Sequence, residues 1–182
     1  MHQSLKSIII CCFFIGVLLG MNNLELSIPV VVNSDGAIYQ GSPGQNQVSL
    51  TINVDWGGEY IPSILQCLAD ENVFATFFVT GKWAEKNPEL LKLIAQKGHE
   101  IGNHGYRHYH PEQLSEKGII DLIKKNEKVI YDLTGIKTNL FAPPYGEVDQ
   151  RISDTARSIG YQTIMWSADT VDWKRPAPEV IK

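Results

Sequence analysis

The hydrophobic pattern divides the chain into three stretches. Residues 8–21 form an unbroken apolar run behind a short segment bearing Lys6; residues 22–47 are polar and turn-rich apart from one apolar patch at 28–32; strand-like and helix-like periods then alternate to the end. As a helix, the apolar run of 14 residues spans roughly 21 Å at ~1.5 Å per residue, short of a ~30 Å hydrocarbon core. Residues 1–23 are therefore read as an export signal peptide or a short membrane anchor, not as part of the fold. Residues 24–47, with their Ser-Asp-Gly and Gly-Ser-Pro-Gly sequences, read as a linker, and the folded domain is expected to begin at Val48.

From there the periodicity predicts five strands, each followed by a helix. Residues 48–54 are β-rich, and from residue 59 the apolar residues Ile61, Ile64, Leu65 and Leu68 fall at helical spacing, with Pro62 in the first turn. Residues 73–80 are a continuously apolar strand of the buried, parallel kind. A helix over 83–97 stops at Gly98, and a third strand covers 99–103. A helix over 111–134 carries the stripe Ile119, Leu122, Ile123, Val129, Ile130 and Leu133. A fourth strand at 138–142, a helix at 149–159 and a fifth strand at 161–168 follow, and Pro176 opens a further helix. Such alternation predicts an α/β domain whose parallel sheet is covered by helices, either open or rolled into a barrel.

Composition adds exclusions. Sixteen Lys and Arg against twenty Asp and Glu give a net charge of −4 with no basic run, which argues against a nucleic-acid partner. Three cysteines, two of them adjacent at Cys11 and Cys12, make no disulfide framework. Candidate chemistry gathers where the strands end: Asp55 after the first, His104 and His108 after the third, Pro143-Pro144-Tyr145-Gly146 after the fourth, and Asp169 to Trp173 after the fifth. Parallel α/β folds place their sites at that face. Two imidazoles four residues apart can meet one metal ion if the segment turns helically, with a carboxylate or water completing the coordination. His110 is an alternative third ligand or a helix-entry residue, and His99, at the beginning of its strand and not after it, reads as structural.

Gly98-His-Glu-Ile-Gly-Asn-His-Gly-Tyr-Arg-His108, Phe141-Ala-Pro-Pro-Tyr-Gly146, Trp166-Ser-Ala-Asp-Thr-Val-Asp-Trp173 and Ala75-Thr-Phe-Phe-Val-Thr-Gly81 together resemble the motifs of the polysaccharide deacetylases, the NodB-homology domain of carbohydrate esterase family 4. The resemblance covers residues 48–182 and implies a distorted β/α barrel. It also implies removal of acetyl groups from N-acetylglucosamine polymers such as peptidoglycan or chitin at the cell envelope, and a divalent metal, zinc in most of the family, on His104 and His108. A metal of this kind polarises the amide carbonyl and lowers the pKa of water toward ~7. A carboxylate base takes the water's proton, and a histidine returns one to the leaving amine. The resemblance places the oxyanion-holding backbone N–H at Tyr145, and Trp173 with Pro143, Pro144 and Tyr145 along the substrate slot.

Three departures from the family pattern stand out. The first motif normally reads Thr-Phe-Asp-Asp-Gly; here Thr51-Ile-Asn-Val-Asp-Trp-Gly57 puts Asn53 at the base position and Val54 at the ligand position. Strand alternation keeps Asn53 and Asp55 on one face, so Asp55 can supply the metal carboxylate by a one-residue shift. Ala142 stands where the family has an Arg supporting the base, and the strand bearing the acid histidine has no counterpart before Lys182. Asp169 or Asp172 is left as a replacement base. With 135 residues from Val48 onward, five strands are too few to close the implied barrel, so the domain is expected to be truncated at its C-terminal end. Hydrolysis is expected to be weak or lost. The alternatives are a non-catalytic glycan-binding module with the same fold, or a metal-dependent amidohydrolase acting on a small amide.

Overall fold

A computed structural model of the chain describes residues 31–42, 44, 46–175 and 177. The expected signal or anchor at 1–23 and the helix opening at Pro176 lie outside the described residues. Two short strands, β1 (Val31–Val32) and β2 (Ile38–Gln40), pair antiparallel. Five more, β3 (Leu50–Val54), β4 (Ala75–Val79), β5 (Glu100–Asn103), β6 (Leu140–Phe141) and β7 (Gln162–Thr163), make one parallel sheet in chain order. The helices are α1 (Ile61–Asp70), α2 (Gly81–Lys86), α3 (Pro88–Gln96), α4 (Glu116–Thr134) and α5 (Gln150–Ser158). Because each crossover advances by one strand in the same direction, the helices stack on one face and the sheet curls around the other, as in a β/α barrel and not a doubly wound sheet. Among the described residues the sheet ends at β3 and β7 without closing.

Packing decides which strands anchor it. Phe77, Phe78 and Val79 of β4 are at most 1% exposed, each contributing about 1.5–3 kcal/mol by burial, whereas Leu50 of the edge strand β3 is 41% exposed. Val54, Phe77, Val79 and Ile101 pack under Ile61, Leu65, Leu91 and Ile94 of the helices, while Phe141 packs with Ile119, Ile123 and Ile152. The opposite, concave face carries Asn53, Phe78 and Gly102 in register. A Cβ on Gly102 would sit 2.3 Å from the Phe78 ring, so that glycine lets the ring lie flat across the floor of the concave face. Gly102→Ala is expected to destabilise the domain by roughly 1–3 kcal/mol through overpacking, read as a lower urea midpoint.

Several boundaries differ from the sequence reading. The helix expected over 83–97 is two helices, because Asn87 adopts φ −129, ψ 49 ahead of Pro88. The helix expected from 111 is a 3-10 turn (Pro111–Gln113) followed by α4, which starts after Ser115, whose Oγ accepts the Gly118 N–H at 3.2 Å. The fifth strand, expected over 161–168, is only β7 plus a bridge between Ile38 and Ile164. That bridge also corrects the linker expected over 24–47. Its described part is folded against the domain: Ala37 is fully buried, Met165 donates to the Ile38 carbonyl at 2.8 Å, and Arg157 donates to the Gly36 carbonyl at 3.2 Å. The Ser-Asp-Gly turn that read as a spacer is the tip of the β1–β2 hairpin, with the Asp35 carboxylate accepting from the Ala37 N–H.

Candidate active site

The register of the sheet assembles the site. Val54, Val79, Asn103 and Phe141 are matched across four strands and point toward the helices. The next residue on each strand, Asp55, Thr80, His104 and Ala142, therefore forms a second row on the concave side of the rim. Neighbours in that row hold one another. Thr80 Oγ donates to Asp55 Oδ1 at 2.8 Å, leaving Oδ2 free of that bond. His104 is 2% exposed and its Nδ1 lies 2.7 Å from the Ala142 carbonyl. A carbonyl only accepts, so Nδ1 carries the proton and Nε2 keeps its lone pair. From His104 the chain turns through Gly105 (φ 78), where a Cβ would strike Leu122 at 2.9 Å, and brings the His108 ring to 5.1 Å from the His104 ring. Below the row, Asn103 accepts the Gly105 N–H at 2.8 Å and the Asn126 amide at 2.9 Å, fixing the start of that turn from α4.

The electrostatics suit neutral imidazoles. Burial pushes His104 down from 6.5 to about 4, with His108 adding to the lowering while the Ala142 carbonyl and Asp55 oppose it. His108 is also lowered, by burial first and against the pull of Asp55. In metal-free protein the linkage follows in sign: between pH 6.5 and about 4 the unfolded chain takes up a proton that folded His104 refuses. Stability is therefore expected to be flat in this group above pH 6.5 and to fall by on the order of 3 kcal/mol as pH drops to about 4. Urea midpoints of the chelator-treated protein from pH 7 to 4.5 check this, and His104→Gln should flatten the fall.

A second cluster flanks the pair. Tyr145, in the 3-10 turn Pro144–Gly146 after β6, has φ 60 and ψ 2, a left-handed backbone that costs a non-glycine residue about 1–2 kcal/mol. Its ring meets His108 edge-on at 4.2 Å and stacks on His110 at 3.8 Å with 6° between planes. His110 Nδ1 donates to Glu147 Oε1 at 2.5 Å. Beside Asp55 and His108 opens a cleft of about 670 Å³ whose walls include Trp56, Trp83, Lys86, Arg107 and Tyr109.

Not every residue expected at the site is there. Pro143 and Pro144 are buried, and Pro144 opens the 3-10 turn that carries Tyr145. Asp169 accepts the Val171 N–H at 2.8 Å and Asp172 accepts the Thr170 hydroxyl at 3.2 Å, each serving its own exposed turn. Neither is among the charges that act on His104 or His108. His110 takes the helix-entry place, its carbonyl accepting the Gln113 N–H at 3.1 Å at the start of the 3-10 turn, while its Nδ1 faces Glu147. His99 is structural, with Nδ1 accepting the Ala75 N–H at 3.3 Å and its ring against Phe74 and Phe77. The Trp173 side chain lies outside what is described. Sequence reasoning passed over Thr80 and Glu147; a hydroxyl ending an otherwise apolar strand was the available signal for the first, and nothing local marked the second.

As donors, the pair fits a metal ion: each imidazole is held neutral, and His104 donates its other N–H to a carbonyl, the arrangement that orients metal-binding histidines. Among the described residues no three His, Cys, Asp or Glu side chains stand close enough together to hold an ion. Asp55 is the candidate addition, being the carboxylate whose charge acts on both imidazoles.

A family model described as polysaccharide deacetylase matches residues 40–164. The chain belongs to the polysaccharide deacetylase family. It is 36% identical over 143 residues to a peptidoglycan-N-acetylglucosamine deacetylase of Bacillus cereus, covering 79% of this chain and 52% of that protein. In structure it is similar to a CE4 family pseudoenzyme from Bacillus anthracis, with TM-score 0.78 and 42% identity over 82% of this chain and 53% of that one. A mutant of that pseudoenzyme with restored enzymatic activity matches with TM-score 0.78 and 40% identity, over 82% of this chain and 55% of the other. The polysaccharide deacetylase domain seen here thus spans about half the length of the relatives it matches. No helix among its described residues is long and apolar enough to cross a membrane.

Proposed function

We propose that the protein is an exported, peptidoglycan-directed polysaccharide deacetylase in which metal binding is retained and hydrolysis of the N-acetyl group is slow. The observation that carries this is the rim of the site: the His104 and His108 rings stand 5.1 Å apart on the side of the sheet that also carries the Asp55 carboxylate, while Asn53, at the remaining acid–base position, is an amide. His104 and His108, with Asp55, would hold a divalent ion, zinc by the family resemblance. When bound, that ion supplies Lewis-acid activation of the amide carbonyl and of water. The chain's own residues do the rest. Thr80 fixes the Asp55 carboxylate, the Ala142 carbonyl orients His104, and the Tyr145 N–H is the donor assigned to the developing oxyanion. Asn53 accepts no proton at neutral pH and Asp55 is committed to the ion, which leaves that transfer without a carboxylate and makes it slow.

The non-catalytic reading keeps a specific support, the likeness to a pseudoenzyme that regained activity on mutation. One set of measurements separates the readings. After loading with zinc or cobalt, about one ion per chain is expected together with slow acetate release from N-acetylglucosamine oligomers or peptidoglycan. Metal-free protein that still binds the oligomers would favour the glycan-binding module. Acetate release from small amides but not from oligomers would favour a small-amide hydrolase.

A further inference from the structure

We infer that Glu147 and His110 are positioning residues that clamp Tyr145 in its left-handed backbone conformation at the rim of the site. Such a conformation persists in a residue other than glycine only where the surroundings over-determine it. The core does not do so here, because the Tyr145 side of the turn is open and the residue is 55% exposed. What does touch the ring is the His110 imidazole, parallel at 3.8 Å, with His108 at its edge. A stack on the surface holds nothing unless its outer member is itself held. His110 is held: its Nδ1 donates to Glu147 Oε1, and Glu147 Oε2 accepts the Glu112 N–H at 3.4 Å.

Glu147 follows Tyr145 by two residues, so the contacts close a ring. The chain runs from Tyr145 to Glu147, crosses by the hydrogen bond to His110, and returns through the stack to the Tyr145 side chain. Arg151, in the first turn of α5, holds the segment after β5 from the far side, donating to the Leu114 carbonyl at 2.8 Å and the Glu112 carbonyl at 3.2 Å. The loop after β6 is thereby fastened to the loop after β5 that carries His108. What the clamp does for chemistry rests on the proposed function, in which the group being aimed is the Tyr145 N–H. How Tyr145 is held does not rest on it. Neither clamp residue touches substrate in this account; both act through Tyr145.

The test combines a signature of the stack with a binding measurement. In the intact protein the ring protons of Tyr145, lying over an imidazole, are expected upfield of those of the other tyrosines by NMR. Glu147→Ala should move them toward the ordinary position and weaken binding of an N-acetylglucosamine tetramer by about tenfold, the loss expected when one ordinary hydrogen bond to the ligand is no longer made. Glu147→Gln keeps an acceptor for His110 and should restore both. If Glu147→Ala leaves shift and affinity unchanged, the clamp is refuted. Should Glu147→Ala lose its native circular dichroism, His110→Gln carries the test: it keeps a donor for Glu147 but removes the ring, and unchanged tetramer affinity in it overturns the inference. A parent protein that binds no tetramer, but whose upfield shift is lost in Glu147→Ala, refutes the functional reading and supports the clamp.

Discussion

Asn53→Asp, combined with Ala142→Arg, is expected to raise acetate release from N-acetylglucosamine oligomers by about 10²- to 10⁴-fold, the range a positioned general base contributes. Asn53 lies on the concave face of β3, two residues before Asp55 and so on the same side of the strand. It is exposed there, so a carboxylate can be introduced without a desolvation penalty large enough to neutralise it. The single substitution should give most of the gain. The added Arg, starting from a position only 2% exposed, has to reach out of the rim row to meet the new carboxylate, and its role is to hold that group ionised and in place. The measurement is the initial rate of acetate release at matched metal content. No gain in the double variant, with metal still bound, would mean that the base does not belong at residue 53 and that the register assigned across residues 51–57 is wrong.

His104→Ala is expected to abolish stoichiometric metal binding and with it detectable acetate release. The same substitution should lower stability by about 1–3 kcal/mol, because it leaves the Ala142 carbonyl buried without its partner. His108→Ala offers the contrast. Its imidazole is only half-buried and holds no backbone group, so it should lose metal with a much smaller fall in the urea midpoint. Metal content after dialysis and chemical denaturation of the two variants check both halves. Retention of one ion per chain by His104→Ala would remove the histidine pair as the metal centre.

How far the sequence could be read depended on whether a feature is local. The α/β class followed from the apolar run of β4 and the helical stripe of α4, because burial on two faces and on one face leave different periods. Helix starts were misplaced where a local competitor was overlooked: Pro88 splits one expected helix, and Ser115 caps another four residues later than expected. The β1–β2 hairpin looks like spacer in sequence because its residues are polar and turn-forming, and only its docking on Ile164 and Met165 makes it part of the domain. Within the site, His104 and His108 were legible because they lie four residues apart. Asp55, Asn53 and Tyr145 were legible through their places in motifs. For Pro143, Pro144, Asp169 and Asp172 the sequence carries less, since a residue at a strand end is near a site in sequence whether or not its side chain turns toward it.

By itself the sequence determined the family and the alternation of strands and helices, both of which are written in residue identity and short spacing. The tertiary structure decided which groups become partners. Residues 55, 80, 104 and 142 are far apart along the chain, and they become a row only because parallel register matches Val54 to Val79, Val79 to Asn103, and Asn103 to Phe141. The same holds for Glu147 and His110, separated by 37 residues and joined by one hydrogen bond. Periodicity reports which face a residue occupies. It carries no information about which residue of another strand or loop stands beside it, because that is set by how the helices pack the sheet.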